Sequence, residues 1–284
     1  MIYIPIFSAL ALAAGTILEK INLKNKKVNI KFYQVLEFGG ILVAMLPLIF
    51  FFWKIDNQAF QLKNILIFSS VILFSIFANL FTYYSIKGEK VSNLEPAKLL
   101  EPLFITLLAI AFSFIFSGGL FERNFKVIIP SFIAAGALIF SHIERKHLKF
   151  NKYFLAAIAG SFFFALELVI SRLILDFYSP ISFYFLRCLF VFLISIVLFK
   201  SSFKKLDKKY YLSILLIGII WVAYRVILYF GYQNYGVFST NLFMMLSPMF
   251  IYTFARIFLK EKLKAKNIIA AIIIIACIVY SALA

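Results

Sequence analysis

Hydrophobic residues in this chain gather into long runs separated by short polar breaks. Ten apolar stretches end at charged residues or at Pro, Gly or Asn: Ile2–Leu18, Phe32–Trp53, Ile65–Ile86, Asn93–Phe116 and Val127–Ser141, then Tyr153–Leu175, Ile181–Phe199, Tyr210–Tyr232, Val237–Leu259 and Asn267–Leu283. A helix of about 20 apolar residues crosses the hydrocarbon core of a bilayer, and several of these runs are somewhat shorter. The runs lack the alternation of a membrane β-strand, and a backbone in lipid must satisfy its own hydrogen bonds. The pattern therefore predicts an all-α polytopic membrane protein with ten transmembrane helices. The first run has no basic segment before it and no small-residue cleavage site, so it is read as a retained helix and not a signal peptide.

Composition agrees. The chain has 284 residues, 64% hydrophobic and only 14% charged, with a mean hydropathy of +0.99. A soluble domain is about 45–50% apolar and about 25% charged. A water-soluble globule, a disordered chain and a disulfide-stapled secreted domain are excluded. Cys188 and Cys277 both lie inside apolar runs with no CxxC spacing, and His142 and His147 lie in a charged loop without ligand partners. No metal site or cofactor is expected.

The net charge of +17 would suggest nucleic acid in a soluble protein. Here its distribution points to a lipid bilayer instead. Connections after odd-numbered helices carry 21 Lys and Arg, those after even-numbered helices carry four. Basic residues favour the cytoplasmic side, which places both termini outside a cell membrane crossed many times.

Self-comparison shows an internal relation. At an offset of 146, Tyr83 falls on Tyr229, Val91 on Val237, Leu100 on Leu246, Pro102 on Pro248 and Phe104 on Phe250. At an offset of about 150, Phe32-Tyr33 and Leu36-Glu37 fall near Phe183-Tyr184 and Leu186-Arg187. The basic segment His142–Lys152 lies between the halves. This predicts two five-helix repeats, 1–143 and 144–284. An odd number of helices per repeat inverts the second half in the membrane and places a substrate site near the midplane between the halves.

Ionisable residues deep in a span are costly and mark a bundle interior or a water-filled cavity. Five stand out: Glu37, Glu101, Glu167, Arg187 and Arg225. Glu167 has no basic residue one turn away on its own helix, so it is expected to be unpaired, free to carry a proton or attract a cationic substrate. Arg187 lies near an interface and can snorkel or pair. Arg225 can pair or hold an anionic group. Glu101 shares a face with Glu95 and Lys98, which permits an ion-pair ladder, but it also precedes Pro102, where a kink would free carbonyls for a ligand. Pro248 stands at the matching place in the second half. Asn79, Tyr83, Trp221, Tyr224 and Tyr229 lie in the same third and eighth spans, and their rings could form an aromatic box.

These features together resemble the ten-helix EamA-type members of the drug/metabolite transporter superfamily. Leu100-Glu101-Pro102 and Leu246-Ser247-Pro248 look like the family's L-x-P element. Leu259-Lys260-Glu261-Lys262-Leu263 looks like its LxGExL helix end with Lys for Gly, and Leu186-Arg187 like its second-helix arginine. Phe164-Ala165 with Ser171-Arg172 resembles the first helix of the second half, and Gly136 and Cys277 fall near its last-helix glycine. The chain departs from the pattern at Glu37, opposite Arg187, and at Glu122, which is displaced. The resemblance implies a secondary transporter of a small organic solute, such as an amino acid, amine, drug or related metabolite, working by alternating access with a possible coupling proton. It also implies both termini in the cytoplasm, the reverse of the loop count. A membrane enzyme or translocase acting on a lipid-linked substrate is the alternative. No DxxD, HExxH or phosphate-binding glycine loop supports an enzyme. Lipid and solute are the expected partners, nucleic acid is not, and the protein is read as a monomer or weak homodimer.

Overall fold

The computed structural model describes residues 4–23, 28–89, 94, 97–116, 124–142, 151–199, 207–250, 253 and 265–283. These residues form α1 (Ile4–Leu23), α2 (Ile30–Phe52), α3 (Leu62–Gly88), α4 (Leu100–Ile115), α5 (Phe125–His142), α6 (Lys152–Ser171), α7 (Pro180–Phe199), α8 (Lys208–Asn234), α9 (Val237–Met244) and α10 (Ala265–Leu283). The protein is an all-α polytopic membrane protein. α1, α2, α3, α6, α7 and α8 are each long and apolar enough to cross a membrane, and four further apolar helices are shorter. Its outside is greasy where a soluble protein would be polar. Phe50, Phe51 and Phe140 are more than three-quarters exposed, as expected of side chains meeting lipid tails.

Local chemistry sets the helix ends. The Asn29 carboxamide accepts from Phe32 N at 2.7 Å to start α2. Asn151 accepts from Tyr153 N and Phe154 N at 3.0 and 2.9 Å to start α6. Both side chains satisfy donors that a helix start leaves open. α1 runs to Leu23, past the edge at Leu18 expected from its apolar run. The reason is that Glu19 and Asn22 are buried, and Lys20 Nζ donates to the carbonyls of Ile86 and Glu89 at 2.6 and 2.7 Å. α6 stops at Ser171, short of the expected Leu175, and continues as a turn and a short 3-10 segment, Leu175–Phe177. The turn from α8 to α9 passes through Gly236 at φ 83°, a conformation that a Cβ disfavours.

Two breaks lie near the prolines. Leu99 is a turn residue with φ −68° and ψ −10° just before α4. Met245, with φ −65° and ψ −7°, ends α9, and helix resumes at Ser247. Pro102 and Pro248 each follow three residues later and cannot donate to the preceding turn, which explains both breaks. The breaks are 146 residues apart, as the prolines are.

The helix contacts have an exchange symmetry. α1 packs on α8 as α3 packs on α6. Likewise α2 packs on α8 as α7 does on α3, and α1 on α9 as α6 does on α4. α2 and α7, α4 and α9, and α5 and α10 pack on each other. Swapping α1–α5 with α6–α10 thus maps most contacts onto contacts. The α1–α3, α5–α9 and α8–α9 contacts have no counterpart of similar extent among the described residues. At one end of the bundle the two connections α2–α3 and α6–α7 are stitched together. Ile55 pairs with Tyr178 in an antiparallel bridge. Asp56 N donates to Phe177 O at 2.8 Å and Ser179 N to Lys54 O at 3.0 Å. Gln233 at the end of α8 donates to the carbonyls of Leu175 and Tyr178.

Candidate functional site

A cavity of about 150 Å³ lies in the bundle, walled by α1–α4 from one half and α6–α9 from the other. Of the residues singled out in the sequence, Glu37, Glu101, Arg187, Arg225, Asn79, Trp221, Tyr224, Pro102 and Pro248 line it. Glu167, Tyr83 and Tyr229 stand just behind the wall, buried.

The second half contributes a closed ionic cluster. Glu167 on α6 is fully buried. Its Oε1 accepts from Arg187 Nη1 of α7 at 2.6 Å and from Tyr229 OH of α8 at 2.7 Å. Its Oε2 accepts from Arg225 Nη1 of α8 at 3.0 Å. Arg187 Nη1 also donates to Tyr229 OH at 2.8 Å. The expectation of an unpaired Glu167 is therefore corrected: its partners come from neighbouring helices, 20 and 58 residues away. Both guanidiniums are also held by rings, Arg187 over Tyr184 at 5.0 Å and Arg225 over Tyr224 and Phe164 at 5.1 and 5.3 Å. Such contacts stabilise a cation most where water is excluded.

The first half is arranged otherwise. Glu37 on α2 is buried. Glu19 of α1 faces it, and the side chains of Tyr33, Tyr83 and Trp221 lie beside it. Yet Glu37 Oε2, Glu19 Oε1, Tyr33 OH and Trp221 Nε1 close no hydrogen bond. Tyr33 and Tyr83 pack edge to face at 5.1 Å, and Tyr83 OH donates to Asn79 Oδ1 at 3.2 Å. Lys98 faces both Glu19 and Glu101, and Arg225 also faces Glu101. The partner Glu95 of the expected ladder lies outside the described residues.

Near the breaks, Asn241 Nδ2 of α9 donates to Pro102 O at 3.0 Å and contacts Thr106 Oγ1 at 3.3 Å. This ties the two broken segments to each other. Glu19, Tyr33, Tyr184, Phe164 and Asn241 are site residues that the sequence reading did not single out. Glu19 carried a usable signal, since it lies 148 residues before Glu167, close to the offset of the repeat.

Other sequence expectations fall elsewhere. Arg172 forms an ion pair with Asp176 at 2.7 Å. Cys188 and Cys277 are free and buried. Glu122, His147 and the segment Leu259–Leu263 lie outside the described residues, and the backbone of His142 ends α5. Among the described residues no group of three His, Cys, Asp or Glu could hold a metal.

Residues 151–283 match the EamA-like transporter family, so the likeness to that family covers the second half of the chain. No curated protein matches the chain. Among solved structures, a crystal structure of a protein 15% identical to this one superposes with a TM-score of 0.68, over 98% of this chain and 95% of its own. At that identity the likeness shows the fold alone.

Proposed function

We propose that this membrane protein, with an EamA-like transporter domain over residues 151–283, is a secondary active transporter that moves a small organic solute by alternating access. The observation that carries this reading is the cavity, whose wall takes Glu19, Glu37, Lys98 and Glu101 from one half and Arg187 and Arg225 from the other. Charges at such depth are retained where they contact a polar solute or one another around it. A site shared by two halves is exposed alternately to each side when the halves rock about it.

The exchange symmetry of the helix contacts and the matched breaks before Pro102 and Pro248 support reading 1–143 and 144–284 as inverted repeats. The tie between Ile55 and Tyr178 supports a conformation closed at the end of the bundle that bears few lysines. The sequence holds no nucleotide-binding motif, so the driving force is assigned to a gradient of protons or of solute.

The test is uptake of metabolite mixtures into proteoliposomes by wild type and by Leu12→Trp. Leu12 sits on the cavity wall, and an indole there fills much of the space. Uptake by wild type that Leu12→Trp abolishes, with the variant still monodisperse, is the expected outcome. Uptake indifferent to Leu12→Trp would remove the cavity from the transport path.

A further inference from the structure

The two halves carry one cluster in two versions, and the difference between them describes the cargo. In the second half the cluster is Glu167, Arg187, Arg225 and Tyr229, in which both oxygens of Glu167 accept hydrogen bonds from the other three and Arg187 Nε alone stays unpartnered. At the offsets of the repeat, 146 to 150 residues, these positions correspond to Glu19, Glu37, Asn79 and Tyr83. Those four side chains also gather, with Glu19 and Tyr83 facing Glu37 and Tyr83 bonded to Asn79. The carboxylate and the phenol are kept, whereas the two arginines are replaced by a carboxylate and an amide.

The consequence is electrostatic. Around the cavity four carboxylates, Glu19, Glu37, Glu101 and Glu167, meet three cations, Lys98, Arg187 and Arg225. Glu167 takes both arginines at contact distance. Glu101 is faced by Arg225 and Lys98, and Glu19 by Lys98. Glu19, Tyr83, Tyr33 and Trp221 lie beside Glu37, and among the described residues no lysine or arginine forms an ion pair with it. Glu37 is only 3% exposed, and its Oε2 accepts no hydrogen bond. A carboxylate shut away from water with no counter-charge is costly, and a ligand bearing one positive charge removes that cost.

We propose that Glu37, backed by Glu19, binds the cationic group of an organic monocation, an ammonium or guanidinium, and that this is the substrate class of the cavity; the inference rests on the transporter reading above. The positive group would sit where the second half places its guanidiniums, beside a carboxylate and a tyrosine. The body of the ligand would lie along Trp221, Tyr224, Phe38 and Ile41, which give an apolar and aromatic wall of the kind that holds organic cations. A zwitterion fits less well. Its carboxylate would add a negative charge to a cavity whose arginines are already neutralised by Glu167 and Glu101.

Three ligands with one ring and different charge decide the matter: phenethylammonium, phenylalanine and 3-phenylpropionate. Binding to the purified protein in nanodiscs is measured by calorimetry for wild type, Glu37→Gln and Glu37→Asp. Phenethylammonium is expected to bind wild type, to lose about tenfold or more in affinity with Glu37→Gln, as removal of a charged hydrogen-bond partner does, and to recover in part with Glu37→Asp. The aspartate variant keeps the charge, so it separates loss of the site from loss of the fold. The proposal is overturned if phenethylammonium does not bind, if its affinity is the same in Glu37→Gln, or if phenylalanine or 3-phenylpropionate binds more tightly. Uptake that Leu12→Trp blocks but Glu37→Gln spares would sink only the cation assignment. Uptake that neither substitution alters would remove the cavity from the transport path, and no uptake by wild type would sink the transporter reading as well.

Discussion

Glu167 is the electrostatic keystone of the second half. One carboxylate with no solvent exposure holds two guanidiniums and a phenol. Removing one partner of a buried ion pair costs about 3–5 kcal/mol, chiefly because the remaining charge is left without compensation. Glu167→Gln is therefore expected to lower the melting temperature of the purified protein sharply. Adding Arg225→Gln to that variant should restore part of the loss, since one stranded cation is removed. A Glu167→Gln protein as stable as wild type would show that water or lipid reaches this cluster. The sequence made Glu167 conspicuous through its depth, but spacing along one helix reveals only partners three or four residues away. Its actual partners are brought by α7 and α8. Glu19 was hidden for the opposite reason. It falls among lysines at the end of an apolar run, where a charge normally marks a loop, and only the folded α1 shows it buried.

Helices α2 and α8 approach closely because each has a glycine at the crossing. A Cβ on Gly218 would lie 2.6 Å from the carbonyl carbon and oxygen of Gly40 and 2.9 Å from Ile41 N. All three are backbone atoms, so no rotamer change relieves the clash and the helices must separate. Small residues at such crossings let membrane helices pack by close backbone contact. Gly218→Ala is expected to destabilise by about 1–3 kcal/mol, the usual range for overpacking. Gly39→Ala is the control: its Cβ meets only the Phe192 ring, at 3.3 Å, which can turn aside. Equal thermal stability of Gly218→Ala and wild type would show that the crossing is loose. At this scale the sequence was most informative about helix cores, because unbroken apolar runs have one economical fate in lipid. Helix ends were less legible, since α1 is prolonged by buried polar residues and α6 is cut short at Ser171. The breaks at Leu99 and Met245 were foreshadowed by their prolines, whose missing donor is a property of the residue itself.

For the whole molecule, the contact exchange between α1–α5 and α6–α10 matters because the proposed alternating access calls for related contacts at the two ends that close in turn. One is the tie described above, where the connection between α2 and α3 meets that between α6 and α7. Under the exchange, the α7–α8 and α1–α2 connections correspond to these two, and most of their residues lie outside the described ones. If transport opens one end as it closes the other, the tie must break once per cycle. Residues in an antiparallel bridge have Cα atoms about 4.5–5.5 Å apart, within the span of a disulfide. Ile55→Cys combined with Tyr178→Cys should therefore form a disulfide on oxidation. Uptake should stop when it forms and return on reduction. The native Cys188 and Cys277 are buried and offer little competition. The same pair tests orientation: if the 21-to-4 imbalance of basic residues sets it, this end of the bundle faces outside the cell. A membrane-impermeant thiol reagent should reach Ile55→Cys in intact cells. Labelling only after permeabilisation would instead support the orientation that the family resemblance implies. Undiminished uptake by the oxidised pair would mean that this end never opens, and the solute would then have no route through the cavity to that side.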